Sequence, residues 1–286
     1  FFWFVMGFSW PEIREFIAGQ SSGWGLIVAG HPFDTLKVRL QSEGMHGRFG
    51  GPINCLKETV QNEGMRGLYK GAFGPFLTQG LVNAWEFGIY GMVLGLLKES
   101  DSERGTMKQQ WVSGAIAGLA TFVVATPQES IKVRVQSQYT KTYDGTFTVT
   151  ARVWKNEGIR GFFIGATPTA ISRFFFANYI CAYETSRRYL ASDGKLSPGA
   201  TMLAGGCAGT AYWLSNYPFD VIKNKMQAAV NSGKKYNSMV DCAKHIYTVD
   251  GWKGFTRGLS VCLLRALPAN ATCFLFLEIT RAILPK

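Results

Sequence analysis

One motif occurs three times in this chain of 286 residues and divides it into thirds. Each copy places an acidic residue two positions after a proline, a basic residue three positions after the acid, and a glutamine four positions after the base. A second motif, an acid followed by glycine with another glycine seven residues later, follows each copy in register. Two motifs in the same order three times indicate an internal repeat. We place the repeats at residues 1–105, 106–195 and 196–286, with the first motif at 31–41, 126–136 and 217–227.

The distribution of charge predicts a membrane protein with six spans. Six stretches carry one Asp, Glu, Lys or Arg at most, and about 20 apolar helical residues cross a bilayer core. A soluble protein with six buried helices is the alternative, but only 17% of the residues are charged, which leaves too little polar surface. The stretches are 16–33, 73–97, 111–128, 161–183, 196–219 and 258–277.

The segments between these stretches differ in length and charge. Three long connections carry basic clusters, for example around Lys234 and Lys235, and each contains a short amphipathic helix by pattern. The positive-inside rule puts the long connections on one side of the membrane. The net charge of +11 then predicts contact with anionic lipid. No basic stripe stands apart from the spans, so we expect no nucleic-acid partner. The amphipathic helices are predicted near 52–63, 145–157 and 238–249.

The triple motif resembles the signature of the mitochondrial carrier family. The resemblance implies an all-α membrane protein of the inner mitochondrial membrane, with six transmembrane helices in three pseudo-symmetric repeats around a central cavity. Three short amphipathic helices would lie on the matrix side, and cardiolipin would be the anionic lipid. The stretches His31–Gln41 and Arg265–Phe274 look like those of carnitine/acylcarnitine and basic amino-acid carriers.

The resemblance implies that the charged motif forms a gate at the matrix end. A proline inside a helix removes a backbone hydrogen bond and kinks the helix, and charges near lipid must face a wet cavity and pair. An ion pair within one helix is one possibility. The resemblance instead implies a ring of pairs between repeats, with a glutamine bracing each. The ring would join Asp34 with Lys132, Glu129 with Lys223, and Asp220 with Lys37, after kinks at Pro32, Pro127 and Pro218, with Gln41, Gln136 and Gln227 as braces.

The gate at the opposite, cytoplasmic end is incomplete. In the family, the even-numbered spans carry an aromatic-acid-x-x-base motif. The fourth span has Glu184 and Arg187, and the sixth has Glu278 and Arg281. The second span has Gly91 where the acid is expected, so two ion pairs at most are predicted there.

Arg265 is the main candidate for binding a substrate. It follows Gly258 by seven residues, and the same offset in the other repeats gives Thr78 and Ser172, with Arg173 next. The resemblance implies that these are substrate contact points, and an arginine there would bind a carboxylate. Arg265 paired to Glu86 in a purely structural role is the alternative. Amino-acid and carnitine carriers usually have an acid after the arginine of the fourth span. Phe174 stands there instead, and Glu86 is the remaining candidate for holding a substrate amine.

We therefore predict a solute carrier that works by alternating access on a carboxylate-bearing metabolite such as carnitine, acylcarnitine or an amino acid. The alternative is a carrier-like structural subunit docked on a larger respiratory or synthase complex of the inner membrane. The incomplete cytoplasmic gate and Ile164, where a basic residue is expected, motivate it. We expect no enzymatic activity, cofactor or metal site, because the cysteines form no C-x-x-C pair and no nucleotide-binding motif is present.

Overall fold

The computed structural model describes residues 10–98, 105–141, 143–191 and 197–284, and these residues are mostly helical with no β-strand. Each third of the chain contains a long helix with a proline inside it, a short helix, and a second long helical segment. The helices are α1 (Trp10–Glu43), α2 (Pro52–Glu63), α3 (Phe73–Leu97), α4 (Met107–Gln136), α5 (Thr146–Phe162), α6 (Ala166–Phe174), α7 (Phe176–Leu190), α8 (Pro198–Ala229), α9 (Met239–Gly254) and α10 (Leu259–Ile283).

The long segments close into a ring in the order α1, α3, α4, α6 with α7, α8 and α10. Helix α10 packs against α1, which joins the end of the chain to its beginning, and α3 packs against α4 as α7 does against α8. The proline-containing helices α1, α4 and α8 also contact one another. By length and mean hydropathy, the segments Met65–Leu97 and Met107–Gln136 are the two described helices that qualify as spans on their own.

The short helices α2, α5 and α9 each pack on the proline-containing helix of their own repeat. Helix α2 begins and ends where the sequence predicts, whereas α5 and α9 continue beyond residues 157 and 249. The recurrent glycines Gly158 and Gly251 adopt positive φ angles of 61° and 63° inside these helices. Glycine accepts that conformation without steric cost, so the chain bends there and resumes its helix for another turn.

The fourth span is two helices rather than the single helix predicted over 161–183. Helix α6 ends at Phe174 and α7 begins at Phe176, and Asn178 N donates to Phe175 O (2.9 Å), a tight turn of the 3₁₀ type. Helix α4 lies very close to this break, since a Cβ on Gly118 would sit 1.9 Å from the Arg173 carbonyl oxygen. Only glycine allows this approach between the two backbones.

Candidate functional site

Three ion pairs join α1, α4 and α8 in a circle at the end where the matrix gate is predicted. Each pair links an acid of one repeat to a lysine of another at the distance of a charge-assisted hydrogen bond, and these are the pairs that the resemblance implies. Lys223 also lies 3.0 Å from Asp220 Oδ1 on its own helix. The pairs are Lys132 Nζ with Asp34 Oδ2 (2.8 Å), Lys223 Nζ with Glu129 Oε2 (3.0 Å), and Lys37 Nζ with Asp220 Oδ2 (2.7 Å).

Apolar packing accompanies the ion pairs. Val38, Val133 and Ala228 come one from each repeat and form a buried cluster between α1, α4 and α8. Pro32, Pro127 and Pro218 lie inside the same three helices, a short distance before the charged residues. The matrix ends of the three helices are therefore held together by both charge and apolar contact.

One of the three glutamines contacts an ion pair. Gln41 donates to Asp220 Oδ2 (3.1 Å), and Asn224 donates both to the same oxygen (3.2 Å) and to Gln41 Oε1 (2.5 Å). The sequence carried a signal for Asn224 that we did not use. The third copy of the motif has this amide at the position where the first two copies have Val38 and Val133.

The other two glutamines depart from the predicted brace. Gln136 donates to Thr35 Oγ1 (3.0 Å), and Gln227 donates to the Ile164 carbonyl oxygen (3.2 Å). Each reaches an acceptor on a different repeat instead of the nearby ion pair. These two glutamines therefore connect repeats to one another. In the described hydrogen bonds they do not contact the lysine and acid pairs of the ring.

Two arginines share the acids of the ring. Arg265 Nε lies 2.9 Å from Asp34 Oδ1, and Arg173 Nη2 lies 2.5 Å from Glu129 Oε1. In both cases the ring lysine faces one carboxylate oxygen and the arginine faces the other. Arg173 donates a hydrogen bond to Glu129, whereas Arg265 Nε has no hydrogen-bond partner among the described residues, so its contact with Asp34 is an ion pair without a hydrogen bond. The two candidate substrate-binding arginines are thus joined directly to the predicted gate.

Glu86 lies beside Arg173 and not beside Arg265. Its Oε2 is 3.7 Å from Arg173 Nη1, and its Oε1 is buried without a hydrogen-bond partner among the described residues. The structure therefore contradicts the alternative pairing of Arg265 with Glu86. The reason is the order of helices in the ring, because α10 packs against α1 and brings Arg265 to Asp34.

Thr78 and Ser172 make no described hydrogen bond to this charged network. Thr78 Oγ1 donates to Gly74 O (2.9 Å) on its own helix, and Ser172 is buried. In the fourth span it is Arg173, one residue after the position given by spacing, that reaches the acids. The break at Phe175 follows directly and marks the irregular register of this span.

At the cytoplasmic end, Glu184 pairs along its own helix. Arg187 Nη2 and Arg188 Nε lie 2.7 Å and 2.9 Å from Glu184 Oε1, so the described ion pairs of Glu184 stay within α7. Three- and four-residue spacing on one helix face makes these partners the nearest ones. The side chains of Glu278 and Arg281 lie outside the described part of the structure. A cavity of about 590 Å³ opens beside Glu184, with Tyr90 and Tyr183 in its wall.

Comparison with known proteins identifies the family. The family model described as "Mitochondrial carrier protein" matches residues 10–101, 103–194 and 194–286. The chain belongs to the mitochondrial carrier family. Three relatives illustrate its range: "Mitochondrial substrate carrier family protein L" of Dictyostelium discoideum (42% identity over 96% of each chain), "Mitochondrial basic amino acids transporter" of Bos taurus (36%, covering 91% of this chain and 88% of the relative), and "Mitochondrial carnitine/acylcarnitine carrier-like protein" of Arabidopsis thaliana (36%, covering 95% and 98%).

Membership confirms the predicted fold class of this mitochondrial carrier. The six long helical segments are the six spans of the carrier fold, and α2, α5 and α9 are its three short helices. The protein is a transporter and not an enzyme, as the sequence predicts. The roles of the individual site residues remain predictions.

A buried charge cluster ties the carrier's first short helix to the ring. Arg39 donates to both oxygens of Glu63 (2.6 and 2.8 Å), and Lys70 Nζ donates to the same carboxylate. Burial alone would raise the pKa of the Glu63 carboxyl, but the hydrogen bonds and charges of Arg39 and Lys70 outweigh it and lower that pKa. We recognised Glu63 in the second motif without predicting its partner. The equivalent pairs are Arg134 with Glu157 (2.6 Å) and Lys225 with Asp250 (3.5 Å).

Proposed function

We propose that this carrier moves a carboxylate-bearing metabolite, such as carnitine, acylcarnitine or an amino acid, across the inner mitochondrial membrane by alternating access. The observation that carries the proposal is the contact between Arg265 and Asp34 in the matrix ring. A guanidinium group attracts a carboxylate, and Arg265 already pairs with one that belongs to the protein, although its buried Nε has no hydrogen-bond partner among the described residues. A substrate carboxylate would take the place of Asp34 on the same guanidinium group.

This exchange of partners would couple binding to opening. Once Arg265 turns to the substrate, Asp34 keeps only Lys132, and the ring loses one of the contacts that hold it closed. The same argument applies to Arg173 and Glu129. A ligand shifts a conformational equilibrium only through its different affinity for the two states, and competition for the two arginines supplies that difference.

Glu86 supports a substrate that also carries a cationic group. Its Oε1 is a buried carboxylate oxygen without a hydrogen-bond partner among the described residues, and such a group is costly unless it is paired. The ammonium or guanidinium group of an amino acid would donate a hydrogen bond to it, whereas the trimethylammonium group of carnitine, which has no N–H, would compensate the charge of Glu86 without a hydrogen bond. The relatives named as basic amino-acid and carnitine/acylcarnitine carriers agree with such a zwitterion.

The test is uptake into vesicles by the Arg265→Ala variant. Removing one partner of a buried charge pair costs about 2–5 kcal/mol, so we expect uptake of carnitine or basic amino acids to fall about 30-fold or more, with insertion into the membrane unchanged. Arg48→Ala is the matched control, because Arg48 forms an exposed ion pair with Glu58 on the matrix surface. Unchanged uptake by Arg265→Ala would remove this residue from the binding site.

A structural role in a larger complex is the second candidate. Glu184 is satisfied on its own helix, and the second span lacks the acid and the base of the cytoplasmic motif, as in a carrier that no longer cycles. Purification in mild detergent separates the two proposals, since stoichiometric co-purification with respiratory or synthase subunits favours the structural role. In either case the positive charge of the chain supports contact with cardiolipin.

A further inference from the structure

The three junctions between repeats differ in the side-chain hydrogen bonds that cross them on the matrix side. At the junction of repeats 1 and 2, Lys70 reaches across to the chain after α4. Its Nζ donates to Gln138 O (2.8 Å) and Thr140 O (2.5 Å). A long basic side chain therefore fills this junction and binds backbone carbonyls of the neighbouring repeat.

Arg257 has the same function at the junction of repeats 3 and 1. It precedes Gly258 as Lys70 precedes Gly71. Arg257 Nε donates to Leu40 O (3.2 Å), and Nη2 donates to Phe49 O. Two of the three junctions thus have a cationic side chain that bonds to carbonyl groups across the repeat boundary.

The junction of repeats 2 and 3 has Ile164 at the equivalent position, directly before Gly165. The isoleucine side chain has no hydrogen-bond donor. Where the other two junctions have a cationic side chain, this junction has a cavity of about 390 Å³ between the end of α5 and the end of α8. Ile164, Met226 and Val230 form its apolar wall. Arg160, Lys235 and Tyr236 supply its polar side. A cavity of this size is in the range of small-molecule sites.

The charges around this cavity favour an anion. Arg160 and Lys235 are exposed, and neither forms an ion pair with another described residue. The only acid in the wall, Glu157, is held at both oxygens by Arg134 (2.6 and 3.0 Å), so its charge is compensated. We propose that this cavity is a second, matrix-side site for a small carboxylate or phosphate, distinct from the site around Arg265.

An anion bound in this cavity would replace the cationic side chain that links the repeats at the other two junctions. Arg160 and Ile164 belong to repeat 2, whereas Val230 and Lys235 belong to repeat 3, so a bound anion bridges the two repeats. The ring pair at this junction is Glu129 with Lys223, and Gln227 donates to the carbonyl of Ile164 instead of bracing that pair. Occupancy therefore favours the closed matrix end, and matrix anions regulate how readily this junction opens.

The first test is thermal unfolding of the purified, lipid-depleted protein with inorganic phosphate, against sodium chloride at equal ionic strength. We expect phosphate to raise the Tm by about 2–4 °C. The Arg160→Gln/Lys235→Gln double variant should lose this shift and keep the basal Tm. Lys234→Gln is the matched control, because Lys234 is exposed next to the cavity but does not line it.

A second variant imitates the occupied site. Ile164→Lys should raise the Tm without phosphate and abolish the response to it, whereas Ile164→Leu should behave as the wild type. A phosphate shift that survives in the double variant, or no shift in the wild type, overturns the proposal. Stabilisation by cardiolipin alone that depends on Arg160 and Lys235 also overturns it, because the site would then hold a lipid headgroup.

Discussion

Gly30 allows Arg265 to reach the ring. It lies on α1 one turn before Asp34, and a Cβ at this position would be 2.9 Å from Arg265 Nε and 3.3 Å from Cζ. The guanidinium group of Arg265 thus packs directly against the backbone of α1 at Gly30. A glycine that is usually explained by helix packing serves here to place a charged side chain beside a carboxylate.

This contact gives a prediction for single residues. Gly30→Val should push the guanidinium group away from Asp34 and lower uptake about tenfold, as expected for about 1.4 kcal/mol of lost interaction. Gly23→Val on the same helix is the control, since no atom lies within 4 Å of the Cβ that it would add. Uptake that falls equally in both variants would indicate a general effect on α1 rather than on Arg265.

At the scale of elements, the second acid of each repeat anchors the short helix. Glu63 holds α2 to Arg39 of α1 and to Lys70, and the cluster is buried. Removing one partner of a buried ion pair leaves a buried charge uncompensated. The stability lost in this way exceeds the net stability that the pair contributes. The short helices are therefore attached through charge at their ends as well as through apolar packing along their length.

Glu63→Gln should lower the free energy of unfolding by about 3 kcal/mol at neutral pH, measured by thermal or chemical unfolding in detergent. The pKa of Glu63 is lower in the folded protein than its ordinary value of 4.5. Its stabilising effect is therefore complete above pH 4.5 and is lost as the pH falls towards the folded-state pKa. The difference between wild type and variant should narrow below pH 4.5.

Glu58→Gln on the same helix is the matched control for Glu63→Gln. Its partner Arg48 is partly exposed, and exposed ion pairs contribute about 0–1 kcal/mol. A constant difference between wild type and Glu63→Gln down to pH 3 would contradict the assigned role of the carboxylate.

Sequence reasoning succeeded where a repeated pattern fixed the structure. The three motif copies predicted α1, α4 and α8 with their short helices, because period and register survive in sequence. It failed where one repeat differs from the others. The break at Phe175 depends on how closely the fourth span packs against α4, and the sharing of Asp34 between Lys132 and Arg265 depends on the order of spans around the ring. Such contacts between distant helices leave no local signal.

At the scale of the whole molecule, the ring closes one end, and a cavity lies at the other. The ring and its apolar cluster hold α1, α4 and α8 together at the matrix end, while the cavity beside Tyr90 and Tyr183 lies at the opposite end. Among the described side chains, Glu184 makes no ion pair with another repeat. The closed ring predicts that substrate reaches the binding site from the side of the short connections.

Thiol labelling tests this orientation. Cys55, Cys242 and Cys262 are buried and can remain, whereas Cys181, Cys207 and Cys273 are replaced. A membrane-impermeant thiol reagent is added without substrate, either on the side of the short connections or on the matrix side. We expect Tyr183→Cys to react with reagent added on the side of the short connections. This reaction should be at least about tenfold faster than the reaction of Thr35→Cys with reagent added on the matrix side. Lys244→Cys, on the exposed face of α9, serves as the positive control for the matrix side. Rapid labelling of Thr35→Cys from the matrix would show that this end is open.

The sharing of Asp34 and Glu129 between lysines and arginines has a consequence for leakage. Each carboxylate is a tethered competitor, present next to its arginine at a high effective concentration. Chloride or bicarbonate dissolved on either side must displace it to enter and binds a guanidinium group less well than a carboxylate fixed in place. If Arg265 and Arg173 bind the substrate as we propose, this competition would exclude common ions, and the carrier without substrate would not dissipate the ion gradients of the membrane.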